Sequence, residues 1–197
     1  MRYNTQVYLF SALHNLTGVD PETGKLIKDL SNRPDDIWVW QSFNDRPDWW
    51  MNYKLYKNQN VLFIGGSKDA TSNIYDIGAY NVNDSASKPK YILDYDTTWA
   101  SEDISIGDTI FYFAYPLIGN QQSKIPRLFI GKIKTTPSPK NLFITSDIFS
   151  RPGSSGAPVF RLSHHKSYLV GVIARGNPTE NIVYITPFKE GLTILKL

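Results

Sequence analysis

Ser155, a serine bracketed by glycines, is the residue whose setting most suggests chemistry. It lies in the segment Gly153-Ser154-Ser155-Gly156-Ala157-Pro158. A serine hydroxyl becomes an effective nucleophile when a base takes its proton and main-chain N–H groups receive the oxyanion that forms on the attacked carbonyl. Glycines allow the tight backbone that the second task requires. The same composition also suits an ordinary turn between two strands, so the segment alone leaves both interpretations open.

The chain has three histidines that are candidates for the base. His164 and His165 lie in a polar stretch that predicts a hairpin loop, too close in sequence to Ser155 to fold back onto it. Two adjacent histidines with no Cys or further His near them are a weak signal for a metal site. His14 ends an apolar, β-prone run over residues 6–13, where a strand would hold it as a general base. The alternative for His14 is a histidine whose hydrogen bonds are satisfied within the core.

Asp76 is the candidate for the carboxylate that orients the base. It lies inside the otherwise apolar run 73–82. A carboxylate is costly to bury unless it is hydrogen-bonded or paired, and a histidine would supply that partner. The alternative is that Asp76 lies at the solvent edge of a strand. With Ser155 as nucleophile and His14 as base, Asp76 would complete a catalytic triad.

These segments also resemble the motifs of the trypsin-like (chymotrypsin-fold) serine proteases. Ser11-Ala12-Leu13-His14 resembles Thr-Ala-x-His, Asp76-Ile77-Gly78-Ala79 resembles Asp-Ile-Ala, and residues 153–158 resemble Gly-Asp-Ser-Gly-Gly-Pro. The order His, Asp, Ser is the order of that family. Residues 14–24 and 106–116 are similar to segments of its bacterial branch.

The resemblance implies a serine endopeptidase that hydrolyses peptide bonds through an acyl-enzyme, with a protein or peptide as substrate and no metal or cofactor. It implies an oxyanion hole formed by the N–H groups of Gly153 and Ser155. It also implies a substrate pocket, and the lining residues would be Phe149, Ser150, Ala174, Arg175, Gly176 and Ile182. No acid lies at the position that gives trypsin its basic preference. Phe149 and Ile182 instead predict a shallow, apolar pocket for a small or medium uncharged side chain, or a pocket that is partly blocked.

Two further expectations follow from the same comparison. Trypsin-type zymogens place an aspartate at the position of Ser154, where it pairs with a newly cut N-terminus. A serine cannot form that ion pair, so we predict activity that does not depend on N-terminal cleavage.

The alternative function is a catalytically silent module of the same fold, which would bind a peptide or protein partner in its cleft.

We expect β-strands to position these residues. The apolar runs are short, rich in β-branched and aromatic residues, and punctuated by 13 glycines and 12 prolines among 197 residues. This pattern is typical of an all-β sandwich or barrel. Pro158 and the Val-Phe that follows it begin a strand, which argues against the strand–turn–helix elbow of an α/β-hydrolase. The resemblance implies two six-stranded antiparallel β-barrels, with the active site in the cleft between them.

The domain division is predicted at the polar stretch 84–90, which we interpret as a linker. The N-terminal barrel, residues 1–83, would carry His14 and Asp76, and the C-terminal barrel, residues 91–197, would carry Ser155. The family's first barrel has a strand before the histidine-bearing one, yet this sequence reaches His14 almost at once. We therefore expect either a trimmed chain or a first barrel that lacks its first strand.

The composition of the chain bears on its cellular compartment and on the partners that we expect for it. The chain has no cysteine, so no disulfide supports the fold and nothing marks an oxidising compartment. The net charge of +3 comes from scattered lysines and arginines, so we expect no nucleic-acid partner. No signal-like block or apolar stretch of membrane-spanning length occurs, so we expect no membrane association. A cytoplasmic protein is the interpretation if the N-terminus is not trimmed, and the oligomeric state stays open.

Overall fold

The computed structural model describes residues 2–3, 6–20, 23, 25–27, 34–41, 49–58, 60–68, 74–82, 104–118, 121–123, 125–138, 142–163, 166–177 and 179–195. Strands dominate this part of the chain, which confirms the all-β prediction. They are β1 (Arg2–Tyr3), β2 (Gln6–Ser11), β3 (Asp36–Gln41), β4 (Trp49–Lys54), β5 (Tyr56–Lys57), β6 (Asn60–Val61), β7 (Phe63–Lys68), β8 (Ile74–Asn81), β9 (Thr109–Ala114), β10 (Leu117–Ile118), β11 (Gln121–Gln122), β12 (Arg127–Thr135), β13 (Ile144–Ser146), β14 (Pro158–Ser163), β15 (Lys166–Asn177) and β16 (Ile182–Pro187). The helices described are α1 (Leu13–Thr17) and α2 (Phe188–Leu195), and neither is long and apolar enough to span a membrane.

Six antiparallel strands close into a barrel in the C-terminal half, in the order β12-β13-β16-β15-β14-β9. Alternate residues of each strand point inward, as the two-residue period of a strand requires. In β9, Ile110, Tyr112 and Ala114 are buried while Phe113 is half exposed. Ile133 and Ile185 fill the same interior from the facing strands. Closure pairs the edge strands with each other. The serine loop, residues 152–157, leads directly into β14 of this barrel.

The N-terminal half is built differently over the residues that are described. Strands β1, β2, β8 and β7 form a four-stranded antiparallel sheet in that order, and β3–β4 and β5–β6 form separate two-stranded sheets. Within the described ranges these strands do not close into a second barrel, so that part of the prediction stays a prediction. The predicted linker 84–90 lies outside the described residues, and so do His164 and His165.

The N-terminal sheet packs directly on the barrel. Its buried side chains share one apolar cluster with α2 and with Val172 of β15; the cluster contains Tyr8, Tyr75, Ile77, Ala79, Val172, Phe188, Leu192 and Leu195. Thr186 of β16 donates a hydrogen bond from Oγ1 to the main-chain carbonyl of Asp76 at 3.3 Å. The strand that carries Asp76 is therefore tied to the barrel that carries Ser155.

Candidate active site

His14 lies on the short helix α1, immediately after β2. The strand ends at Ser11, and the helix ends at Thr17. Gly18 caps the helix: its left-handed φ of 69° lets its N–H donate to the His14 carbonyl at 2.8 Å. Leu13 and Leu16 are buried beneath the helix. The sequence placed His14 at the end of a strand that ran through Leu13, and the structure instead begins a helix at Leu13. Two leucines three positions apart share one face of a helix, which suits this turn better than a strand.

The Asp76 carboxylate accepts two hydrogen bonds, and both come from His14. The His14 main-chain N–H donates to Oδ1 at 3.0 Å, and the ring Nδ1 lies 2.5 Å from Oδ2. Asp76 is only 6% exposed, so the solvent-edge alternative is wrong. If the Asp76 carboxylate is ionised it only accepts, and the pairing then requires the ring tautomer with its proton on Nδ1.

Two of the main-chain N–H groups in the serine loop, residues 152–157, have no hydrogen-bond acceptor among the described residues, and two others do. The N–H of Ser154 donates to the Arg151 carbonyl at 3.1 Å, and the N–H of Gly156 donates to the Ile173 carbonyl at 2.8 Å. Over the residues that the structure describes, the N–H groups of Gly153 and Ser155 donate to no protein acceptor. These are the two groups that the sequence predicted for an oxyanion hole.

Positive φ angles explain the glycines on both sides of Ser155. Gly153 has φ +88° and Gly156 has φ +87°, values that other residues rarely adopt. Gly156 also has no room for a side chain, because a Cβ there would lie 2.6 Å from Ser11 Oγ and 3.4 Å from the Ala12 nitrogen. The loop thus packs against the end of β2, one residue before the helix that carries His14.

The loop and α1 are also joined by a hydrogen bond that the sequence did not predict. Asn15, the residue after His14, donates from Nδ2 to the Ser155 main-chain carbonyl at 3.0 Å. The structure therefore places the loop of Ser155 against the helix of His14, and His14 is bonded to Asp76. No hydrogen bond between the Ser155 hydroxyl and the His14 ring occurs among the described contacts. Catalytic hydrogen bonds are often long in unliganded proteins and tighten when substrate binds.

Ser154 is anchored inside the barrel. It is 2% exposed, and its Oγ lies 3.3 Å from the Tyr112 hydroxyl. The single proton of that hydroxyl is shared between Ser154 Oγ and the nearer Phe149 carbonyl, at 2.9 Å. Burial raises the pKa of Tyr112, and the bond to Ser154 opposes that shift. Sequence reasoning missed Tyr112, because only the folded barrel brings β9 under the loop.

The predicted pocket residues lie along the ends of β15 and β16 and before the loop. A Cβ on Gly176 would overlap Ser150 Oγ, so those two residues are in contact. Phe149 is half exposed and Ala174 is buried. The Arg175 guanidinium lies over the Tyr184 ring, 4.6 Å from its centroid. Ile182 is partly buried and pairs with Asn177 across the two strands.

No protein-family model and no curated protein sequence matches this chain. Within the described ranges, no group of three or more His, Asp or Glu side chains is placed to hold a metal ion. The described site combines a buried carboxylate, a histidine hydrogen-bonded to it, and a serine loop in which the N–H groups of Gly153 and Ser155 have no protein acceptor.

Proposed function

We propose that this chain is a trypsin-like serine endopeptidase that hydrolyses peptide bonds through an acyl-enzyme. The observation that carries the proposal is the double hydrogen bond from His14 to the buried Asp76 carboxylate, beside the loop of Ser155. A carboxylate that only stabilised the fold would be served by any donor. Here it holds one ring nitrogen of a histidine, which prepares the other nitrogen to accept a proton.

In the proposed mechanism, Ser155 Oγ attacks the peptide carbonyl and His14 Nε2 takes its proton. The N–H groups of Gly153 and Ser155 receive the oxyanion, and each such donor contributes about 3–4 kcal/mol. His14 then gives the proton to the leaving amine, which leaves an acyl-enzyme on Ser155. Water, activated by the same histidine, hydrolyses that ester. Asp76 stabilises the imidazolium in both halves of the reaction.

We also propose the two-barrel architecture of this family and its bacterial branch, with residues 1–83 and 91–197 as the two units. The closed barrel around Ser155, and the attachment of the His14 and Asp76 sheet to it, support this arrangement. The pocket of Phe149, Ser150, Ala174, Arg175, Gly176 and Ile182 and the protein or peptide substrate belong to the same proposal. The absence of cysteine supports a cytoplasmic setting.

One observation favours the alternative, a catalytically silent module that binds a peptide or protein. The Ser155 hydroxyl forms no hydrogen bond with the His14 ring in the part of the chain that is described. A module of this kind would keep the site's geometry without an activated nucleophile.

Labelling with a fluorophosphonate probe distinguishes the two functions. An active serine hydrolase should be labelled stoichiometrically, with the adduct on the peptide that contains Ser155, and Ser155→Ala should abolish labelling. Ser167→Ala is a matched control, because Ser167 is an exposed serine of β15 outside the loop. A folded wild-type protein that takes up no probe would refute the endopeptidase and favour the silent module.

A further inference from the structure

Asn15 connects the helix of the base to the loop of the nucleophile. Its Nδ2 group donates to the Ser155 main-chain carbonyl at 3.0 Å and to Ser11 Oγ at 3.2 Å. A side-chain amide has two N–H donors, so both are used. One bond holds Asn15 to the end of β2, and the other holds the serine loop. The bond to Ser11 therefore holds the Asn15 side chain in the orientation that its bond to the Ser155 carbonyl needs.

The peptide group between Ser155 and Gly156 is held at both of its ends. Asn15 donates to the carbonyl of this peptide group, which is that of Ser155. The N–H of the same peptide group, that of Gly156, donates to the Ile173 carbonyl of β15 at 2.8 Å. A peptide group is planar, so two bonds on opposite sides fix its orientation. The Cα of Ser155 belongs to this plane. The bond from Asn15 therefore helps to determine where the Ser155 side chain starts.

We propose that Asn15 is a positioning residue that sets the separation of Ser155 Oγ and His14 Nε2. This inference rests on the proposed endopeptidase function. His14 is bound through its own main-chain N–H to Asp76, so a continuous series of contacts runs from Asp76 through His14 and Asn15 to Ser155. The amide binds the main-chain carbonyl of Ser155 and has no assigned role in binding the substrate. Its effect should therefore appear in the rate of the chemical step.

The test compares Asn15→Ala and Asn15→Asp with wild type in the kinetics of fluorophosphonate labelling. Without the amide donors, the peptide group between Ser155 and Gly156 loses one of the two hydrogen bonds described above, and a displacement near 1 Å costs on the order of 100-fold in rate. We expect the maximal rate of labelling to fall by about 10- to 100-fold, with the probe concentration for half-maximal rate nearly unchanged. The shape of the pH profile should stay as in wild type, because the His14–Asp76 pair is intact.

The matched control is Asn81→Ala. Asn81 lies on β8 of the same sheet as Asp76 and donates from Nδ2 to Gln6 Oε1 at 2.7 Å, so this variant also removes an asparagine donor. Its maximal labelling rate should equal that of wild type. A general loosening of the sheet would instead lower both rates alike, and thermal unfolding of each variant measures that loosening directly.

Ser11→Ala gives a second, milder variant in case Asn15→Ala does not fold. It removes the acceptor that holds the amide and leaves the bond to Ser155, so we expect a loss of about 3- to 10-fold. Ser11→Ala combined with Asn15→Ala should be no slower than Asn15→Ala alone, because Ser11 acts through Asn15. Wild-type rates in the folded Asn15 and Ser11 variants, or a loss confined to probe affinity, overturn the inference and leave the proposed function standing. A wild-type protein that is not labelled overturns both.

Discussion

Replacement of Asp76 by asparagine is the sharpest perturbation of the proposed triad. The change keeps the size of the side chain but turns one carboxylate oxygen into an NH₂ donor. If the amide oxygen keeps the bond to the His14 main-chain N–H, the NH₂ group faces Nδ1. Nδ1 must then accept a hydrogen bond, so the ring proton moves to Nε2. A histidine protonated at Nε2 cannot take the proton of Ser155.

Two different magnitudes follow from this geometry. Loss of the correct tautomer costs about 10⁴-fold in the rate of such a triad, which corresponds to roughly 5 kcal/mol. Stability should fall less, because both hydrogen bonds at residue 76 survive, one of them with donor and acceptor exchanged. What is lost is the charge, and a bond to a charged group is worth about 1.5–3 kcal/mol, which is the upper limit of the loss. For a chain of this length, that is a drop of roughly 5–10 °C in the unfolding midpoint.

The assay measures the second-order rate of fluorophosphonate labelling and thermal unfolding on the same samples. Asp147→Asn is the matched control, because Asp147 also accepts a main-chain N–H, from Lys132 at 2.6 Å, and a side-chain donor, Lys134 Nζ, at 2.8 Å. Its labelling rate should stay within about twofold of wild type, because no tautomer depends on it.

The reasoning about the tautomer is refuted if folded Asp76→Asn is labelled within about tenfold of the wild-type rate. It is also refuted if Asp147→Asn loses as much rate as Asp76→Asn, since the loss would then reflect stability alone. A large loss of rate with a small loss of stability, seen only at Asp76, is the expected result.

Three further predictions concern the loop and the barrel. Because Ser154 is buried and uncharged, a chain with added N-terminal residues should be labelled as fast as the same chain after their removal. Gly131→Ala should destabilise the protein by about 1–3 kcal/mol in denaturant unfolding, because its Cβ would lie 2.5 Å from the Ile148 Cα. Lys134 lowers the pKa of Asp147, so this pair stabilises the fold above about pH 4 and the stabilisation is lost as the pH falls further. The unfolding temperatures of wild type and Asp147→Asn should therefore differ at pH 7 and converge in acid.

The strands of the barrel could be predicted from the sequence because their pattern is local. Residues 110–114 of β9 form a short run rich in β-branched and aromatic residues, which predicts a strand. Burial of Ile110, Tyr112 and Ala114 at every second position is shown only by the structure, because Phe111 and Phe113 between them are apolar too. The closure of the barrel could not be predicted in the same way. It depends on β9 pairing with both β12 and β14, and strand partners distant in sequence leave no local signal. The turn of helix at Leu13 was missed for the same reason, since the surface that Leu13 and Leu16 cover belongs to β7 and β8.

The same distinction between local sequence patterns and contacts between distant residues applies to the candidate site. His14, Asp76 and Ser155 could be named because each belongs to a residue type with its own chemistry, in a short recognisable motif. Asn15 and Tyr112 could not, because an amide and a phenol in apolar surroundings suit many structural roles. Asn15 gains its role only from a contact with a carbonyl 140 positions away. Motifs therefore indicate candidate reactive groups, and the fold shows which residues contact them.

The free-energy cost of burying the Asp76 carboxylate helps to compare a catalytic role for this residue with a purely structural one. A buried ion pair is weak support for a fold, because apolar residues of similar size usually stabilise a packed interior as well or better. Asp76 is nevertheless the buried carboxylate between Tyr75 and Ile77 in the strand that joins the sheet to the barrel. Its only side-chain hydrogen bonds among the described contacts are those to His14. Asp76 orients one histidine beside a serine loop at a position where an apolar residue would serve the fold as well, and this supports the proposed role in proton transfer.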